Sequence, residues 1–253
     1  MRRLLIIAVP LALLPACAGQ SESDQSEATQ ADSAPAAPEQ VAVAGSCSNL
    51  TIVAQSPIAI DSPVADASLP QVTFNYAPSP AKLFNTGQTV RVNLNGRDTL
   101  RVGGVGYAAE EFHFHWPGEH EVGTDSFPAE IHIVHKRADG TAVALGTFVR
   151  QGAHNAAWNE IWTHLPRPGT DTVPLRAVAL RQLFSLEPSL DGEQVYRYCG
   201  SLTTPQYEEG INWLVRAQAI EMDSVQLDKL RAVMGRYSRE LQDLNGRVVR
   251  VRP

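Results

Sequence analysis

The chain has 253 residues, with 21 Lys and Arg against 27 Asp and Glu for a formal charge of −6, and 43% hydrophobic residues. That length holds one large domain or two small ones. An acidic chain without a basic stripe is no nucleic-acid binder, and its substrate is not expected to be a polyanion.

Residues 1–17 read as a secretory leader rather than as fold. Arg2 and Arg3 begin it, Leu4 to Leu14 form an apolar run too short to span a bilayer and stop there, and small residues surround Cys17. Leu14-Pro15-Ala16-Cys17 resembles the lipobox of bacterial lipoproteins, which implies a lipid anchor on Cys17; cleavage after Ala18 at a small-x-small site is the rival reading. On either reading the protein is expected to be exported, to the periplasm or cell envelope. Residues 18–45 contain no aromatic and no basic residue, so they read as a disordered acidic tether. Without the two leader arginines and the five tether acids, residues 46–253 carry a formal −3. With Cys17 assigned to lipid, Cys47 and Cys199 remain as a candidate disulfide in an oxidising compartment.

From residue 46 onward there is no second linker and no internal repeat. Thr89–Leu94 alternates as a strand, Asn95-Gly96 offers a hairpin turn, and Thr99–Val102 alternates again. Phe112–Trp116 and Glu130–His135 are strand-like. The second of these leads through Ala138-Asp139-Gly140 into Ala142–Arg150 as another hairpin. Helical patches fall at 154–164, 175–185 and 224–237, the last with Ser224 as N-cap and Leu227, Leu230 and Met234 on one face. The pattern predicts a single α+β domain over 46–253, with a predominantly antiparallel central sheet and a few short peripheral helices.

Five of the seven histidines lie between residues 111 and 135. On a strand, His113 and His115 share one face at about 6.7 Å between their backbones, while Phe112, Phe114 and Trp116 take the other. A lone histidine in an apolar strand is more often a satisfied core residue than a ligand. Two on one face, with His132 on another strand, reverse that balance, and three imidazoles with an open position are the arrangement of catalytic zinc.

Several blocks then occur in order. They are Gln55-Ser-Pro-Ile-Ala-Ile60, Phe112-His-Phe-His-Trp-Pro-Gly-Glu-His120, Ala129-Glu-Ile-His-Ile-Val-His135, Ala144-Leu-Gly-Thr-Phe148, Tyr198-Cys-Gly-Ser-Leu-Thr-Thr-Pro205, Asn212-Trp213 and Leu244-Asn-Gly-Arg247. Together, from about Gln55 to Arg252, they resemble the α-type carbonic anhydrases. The resemblance implies Zn2+ on His113, His115 and His132, and hydration of carbon dioxide to bicarbonate by zinc-bound hydroxide. The bound-water pKa of about 7 is a value characteristic of that family. Glu111 and Glu130 each lie two residues from a ligand and would fix its ring from behind. Glu119 and Thr203 would orient the attacking hydroxide and Thr204 would line the same cavity. Val134, Ala144, Leu202 and Trp213 would form an apolar wall, widened where Ala144 replaces the family's more usual valine. His120 and His135 read as buried, hydrogen-bonded histidines, and His154 and His164 as surface residues.

The chain departs from the family in several places. The aromatic-rich segment ahead of Gln55 is absent, and Tyr207 stands where a cysteine is usual, so any Cys47–Cys199 bond has shifted ends. Glu111 replaces the family's glutamine, and its charge is expected to raise the pKa of the zinc-bound water. Gln88 takes the place of the proton-shuttle histidine, and an amide cannot titrate near neutrality. Slower, buffer-dependent turnover is the consequence. Two other classes compete with this reading. His113-x-His115-x-x-x-Glu119 also resembles the first motif of cupin-like metalloenzymes, but Ser126 stands at that motif's glycine and the second motif is missing. A non-catalytic zinc-binding surface lipoprotein of the same fold is the other, although degenerate members of that sort lose a ligand histidine and none is lost here.

Overall fold

The computed structural model describes Cys47, residues 50–169 and residues 172–253. The leader, Cys17 and the tether expected at 18–45 lie outside the described residues. The strands are β1 (Ala59–Ile60), β2 (Val64–Ala65), β3 (Val72–Asn75), β4 (Ser79–Asn85), β5 (Val90–Asn93), β6 (Thr99–Val102) and β7 (Val105–His115). They continue with β8 (Glu121–Val122), β9 (Ala129–Lys136), β10 (Ala142–Gln151), β11 (Val173–Val178), β12 (Val195–Ser201), β13 (Glu209–Met222) and β14 (Arg250–Val251). Three short helices, α1 (Asn159–Thr163), α2 (Leu180–Leu183) and α3 (Ser224–Val233), complete the described elements, together with a 3-10 turn at Ala156–Trp158.

One large sheet runs β11-β4-β5-β7-β9-β10-β13-β12-β14-β2, with β6 alongside β7 and β3 alongside β6. The expectation of a predominantly antiparallel sheet is corrected here, because the sheet is mixed. β10 and β13, the pair with the most extensive mutual register, run parallel, as do β14 and β2. Parallel neighbours need a long crossover. Here the chain leaves β10, passes through the helical turns to β11 at the far edge, and returns through β12 before β13. The molecule is mostly β, and its helices are shorter than the sequence suggests.

The turn at 138–140 joins β9 and β10 as an antiparallel hairpin. The Asn95-Gly96 hairpin does not form. β5 and β6 never pair; both lie antiparallel to the long β7, β5 opposite Glu111–His113 and β6 opposite Val105–Ala108. The 95–96 turn, with Gly96 at φ 73°, bulges out between two collinear segments. The helix expected at 175–185 is split: its start is strand β11, which pairs with β4 at the sheet edge where Pro174 needs no donor, and only Leu180–Leu183 is helical, as α2. The cap of α3 lies one residue earlier than expected: Asp223, not Ser224, accepts the Gln226 N–H at 2.8 Å in a capping box, and the helix runs from Ser224 to Val233.

β7 carries the feature that positions the site. Ala109 faces His135, whereas Glu111 faces Val134, so Glu110 is an extra residue. Tyr107 and Ala109 point into the core before this bulge, and Phe112 and Phe114 do so after it. The bulge switches the parity of the strand and turns Glu111, His113 and His115 onto the opposite face. Beneath them Phe112 packs edge-on against Trp158 and Phe184, at 5.9 and 5.5 Å between ring centres.

Candidate metal centre

The cross-strand register lays the site out in two rows on one face. Phe84, Arg91, His113, His132 and Gly146 face one another in turn across β4, β5, β7, β9 and β10. Two residues along, Glu111, Val134, Ala144, Trp213 and Tyr198 form the second row. Gly146 leaves little room, because a Cβ there would sit 3.0 Å from Glu130 Oε1. Gly200 is more strictly constrained, since its Cβ would overlap Ser56 Oγ.

His113, His115 and His132 are buried, and each can present one nitrogen to a common point, these nitrogens lying within 4.8 Å of one another. The other ring nitrogens are occupied. His113 Nδ1 is 3.0 Å from both oxygens of Glu111, His115 Nδ1 is 3.0 Å from Glu119 Oε1 and 3.3 Å from the Tyr237 carbonyl, and His132 Nε2 is 2.9 Å from Glu130 Oε1. His113 Nε2 and His115 Nε2 are buried without a hydrogen-bond partner, and His132 Nδ1 has only a 3.9 Å contact with Glu119 Oε2. Three convergent nitrogen lone pairs with nothing to donate to them fit a divalent cation, and the all-imidazole donor set suits zinc. A second cluster of His120, Glu130 and His132 is also close enough for a metal. Its atoms are already used: His120 holds Glu130 at 2.7 Å and the Tyr198 hydroxyl at 2.6 Å.

The carboxylates are charged despite their burial. Burial pushes Glu119 up, but His115 and His132 beside it and the nearby Thr203 hydroxyl outweigh this and bring it to about 2. Its Oε1 accepts the Arg239 N–H at 2.8 Å. Glu130 is held well below the ordinary carboxylate range by His120 and His132, against the effect of its own burial. Its Oε2 accepts the N–H groups of Glu119 and His120 at 2.9 and 2.8 Å. Glu111 is also lowered, as His113 and Arg91 outweigh its burial. Burial and the neighbouring His115 lower His132 to about 4, leaving it neutral at pH 7 with a lone pair to offer.

The remaining residues singled out in the sequence fall around this face. Thr203 is buried and Thr204 half-buried on the loop after β12. Thr203 Oγ1 and Glu119 Oε2 are both buried with no aligned hydrogen-bond partner. Val134, Ala144 and Trp213 are buried side by side, with Leu202 packed against them. The Trp213 ring stands 4.7 Å edge-on to His132, and its Nε1–H donates to the Ser201 carbonyl at 2.9 Å. Gln88 is exposed in the 86–89 turn. The adjacent Thr89 hydroxyl donates to the carbonyl of Phe114, the residue between two of the histidines, at 2.5 Å. Cys47 and Cys199 are joined by a disulfide, which ties the start of the described chain to β12. His120 and His135 are fully buried and hydrogen-bonded, the latter to the Tyr76 hydroxyl at 2.6 Å, while His154 and His164 are exposed.

Several residues of the site were not singled out in the sequence. The Tyr198 hydroxyl donates to Ser56 Oγ at 2.9 Å, and Ser56 Oγ accepts the Ser201 N–H at 3.1 Å, which links the first motif block to the Thr203 loop. Arg239 anchors Glu119, and Tyr237 stacks on His115 at 5.5 Å. Ser56, Tyr198 and Ser201 stand inside the quoted blocks, whereas Arg239 and Tyr237 carried no signal.

A buried three-imidazole face backed by carboxylates and flanked by an apolar wall is the geometry of a candidate metal centre. The model of the eukaryotic-type carbonic anhydrases matches residues 43–253. A carbonic anhydrase of Neisseria gonorrhoeae is 36% identical over 198 residues, covering 77% of this chain and 76% of its own. Among solved structures, the α-carbonic anhydrase of Photobacterium profundum is 32% identical with a TM-score of 0.71, covering 78% of this chain and 88% of its own. That of Thermovibrio ammonificans, in complex with the inhibitor sulfanilamide, is 36% identical with a TM-score of 0.71, covering 78% and 86%. The chain belongs to the eukaryotic-type carbonic anhydrase family, whose activity is that of a carbonate dehydratase, a lyase.

Proposed function

We propose that this chain is a zinc carbonic anhydrase that interconverts carbon dioxide and bicarbonate, with His113, His115 and His132 as the zinc ligands. The observation that carries the assignment is the convergence of three buried imidazoles, with the inward nitrogens of His113 and His115 left without hydrogen-bond partners and that of His132 3.9 Å from Glu119. Zinc held by these three neutral imidazoles would retain its full charge and would supply hydroxide from water at neutral pH.

The chain's own residues do the rest. Glu111 and Glu130 accept from the outer nitrogens of His113 and His132, which fixes the tautomers and aims the lone pairs inward. Glu119, charged down to about pH 2, can only accept. A Thr203 hydroxyl that gives its one proton to Glu119 must then accept at its oxygen, which orients a neighbouring hydroxide toward the substrate. Val134, Ala144, Leu202 and Trp213 offer an apolar surface to an apolar substrate, and Ala144 leaves room there. Thr204 borders the same loop. The amide of Gln88 cannot take up a proton near neutrality, so protons leave to solvent and buffer and turnover is slowed. The leader and the Cys17 motif support export to the periplasm or cell envelope with a lipid anchor.

Stopped-flow hydration of carbon dioxide by the purified chain, with and without sulfanilamide, tests the assignment. Hydration abolished by the sulfonamide is expected. Zinc bound without any hydration would instead make the protein a zinc-binding surface protein.

A further inference from the structure

The β5 strand places a cation on the metal face that none of the steps above uses. Val90 and Val92 are fully buried in the core, so Arg91 and Asn93 lie on the other side of the sheet with Glu111 and His113. Arg91 stands directly opposite His113, one strand spacing of about 4.8 Å away at the backbone. Its stem is well fixed: the guanidinium lies 5.3 Å over the Phe84 ring, and Nε donates to Asn93 Oδ1 at 2.9 Å and sits 3.6 Å from Glu111 Oε2. Only the Nε edge is engaged in this way. Nη1 and Nη2 make no hydrogen bond among the described residues, and the side chain is 43% exposed. Glu111, the one acid beside it, is shared with the metal site, since both its oxygens also lie 3.0 Å from His113 Nδ1.

We propose that Arg91 recruits anions to the wall of the metal site, favouring bicarbonate and other small monovalent anions over neutral carbon dioxide; this rests on the reading of the site as a carbonic anhydrase. The two substrates differ by one charge, and a fixed cation on the strand beside a ligand distinguishes them. An arginine fork suits a planar oxyanion. Glu111 and Phe84 hold the side chain in place and leave the outer fork free.

Titration calorimetry of thiocyanate into the zinc-loaded protein tests this, with zinc content measured on every sample. Arg91→Gln should weaken thiocyanate about threefold to tenfold, the effect of one charge at this range near a surface. Arg91→Met, which keeps an aliphatic stem over Phe84, should match it in case the glutamine variant folds poorly. Arg91→Lys should stay within about twofold of the parent, and the difference should shrink as salt screens the charge. Unchanged affinity in both neutral variants overturns the proposal, as does a lysine variant as weak as they are. If the parent hydrates carbon dioxide and these results appear, only the role of Arg91 fails. A parent that neither holds zinc nor hydrates carbon dioxide overturns the carbonic anhydrase reading and this inference with it.

Discussion

Replacing Glu130 by glutamine should damage both the fold and the metal site, because no orientation of an amide satisfies this position. The carboxylate is fully buried and takes four donors: two backbone N–H groups on Oε2, and the rings of His120 and His132 on Oε1. If the glutamine NH2 faces the backbone, donor meets donor twice. If it faces the rings, His132 must accept at Nε2, which moves its proton to Nδ1, the nitrogen that should hold the metal. Removing one partner of a buried charged network costs about 3–5 kcal/mol, which for a domain of this size lowers Tm by about 6–20 °C. Loss of an outer partner of a metal-bound histidine weakens the metal about 10–100-fold. Thermal unfolding of the apoprotein gives the first quantity and zinc competition against a chelator gives the second. A Glu130→Gln protein with zinc affinity within twofold of the parent would refute the role given to this side chain.

Two further outcomes follow from single residues. Gln88→His should raise turnover about tenfold or more in dilute buffer and remove its dependence on buffer concentration; stopped-flow rates across a buffer series read this, and no gain would acquit Gln88. His135, pushed down to about 4 chiefly by burial, is neutral when folded, so its stabilisation is complete above pH 6.5 and lost as pH falls toward 4. That loss is about 3 kcal/mol, and urea unfolding of the apoprotein should show a smaller difference between pH 7.5 and pH 4 for His135→Gln than for the parent.

The chemistry of the site was more legible in the chain than the sheet that carries it. Period-two alternation is a local property, so Phe112-His-Phe-His115 shows two imidazoles on one face without any knowledge of the neighbours. Strand partners are chosen by tertiary packing. Asn95-Gly96 therefore looks like a hairpin, although β5 and β6 both pair with the long β7. Val173–Val178 became strand because β4 had an open edge, and a helix-like pattern could not show this. The core face switches from Tyr107 and Ala109 to Phe112 and Phe114 within one strand, which marks the bulge at Glu110. Arg91, Arg239 and Tyr237 act through positions set by the fold, and isolated residues of that kind carry no pattern to read.

Metal removal and return address the central claim most directly. The full chain, stripped by a chelator and dialysed, should lose carbon dioxide hydration and regain it in proportion to added zinc, saturating at one ion per chain, while a His132→Ala chain regains none. Hydration that persists in the stripped protein, or zinc uptake that restores no activity, would contradict it.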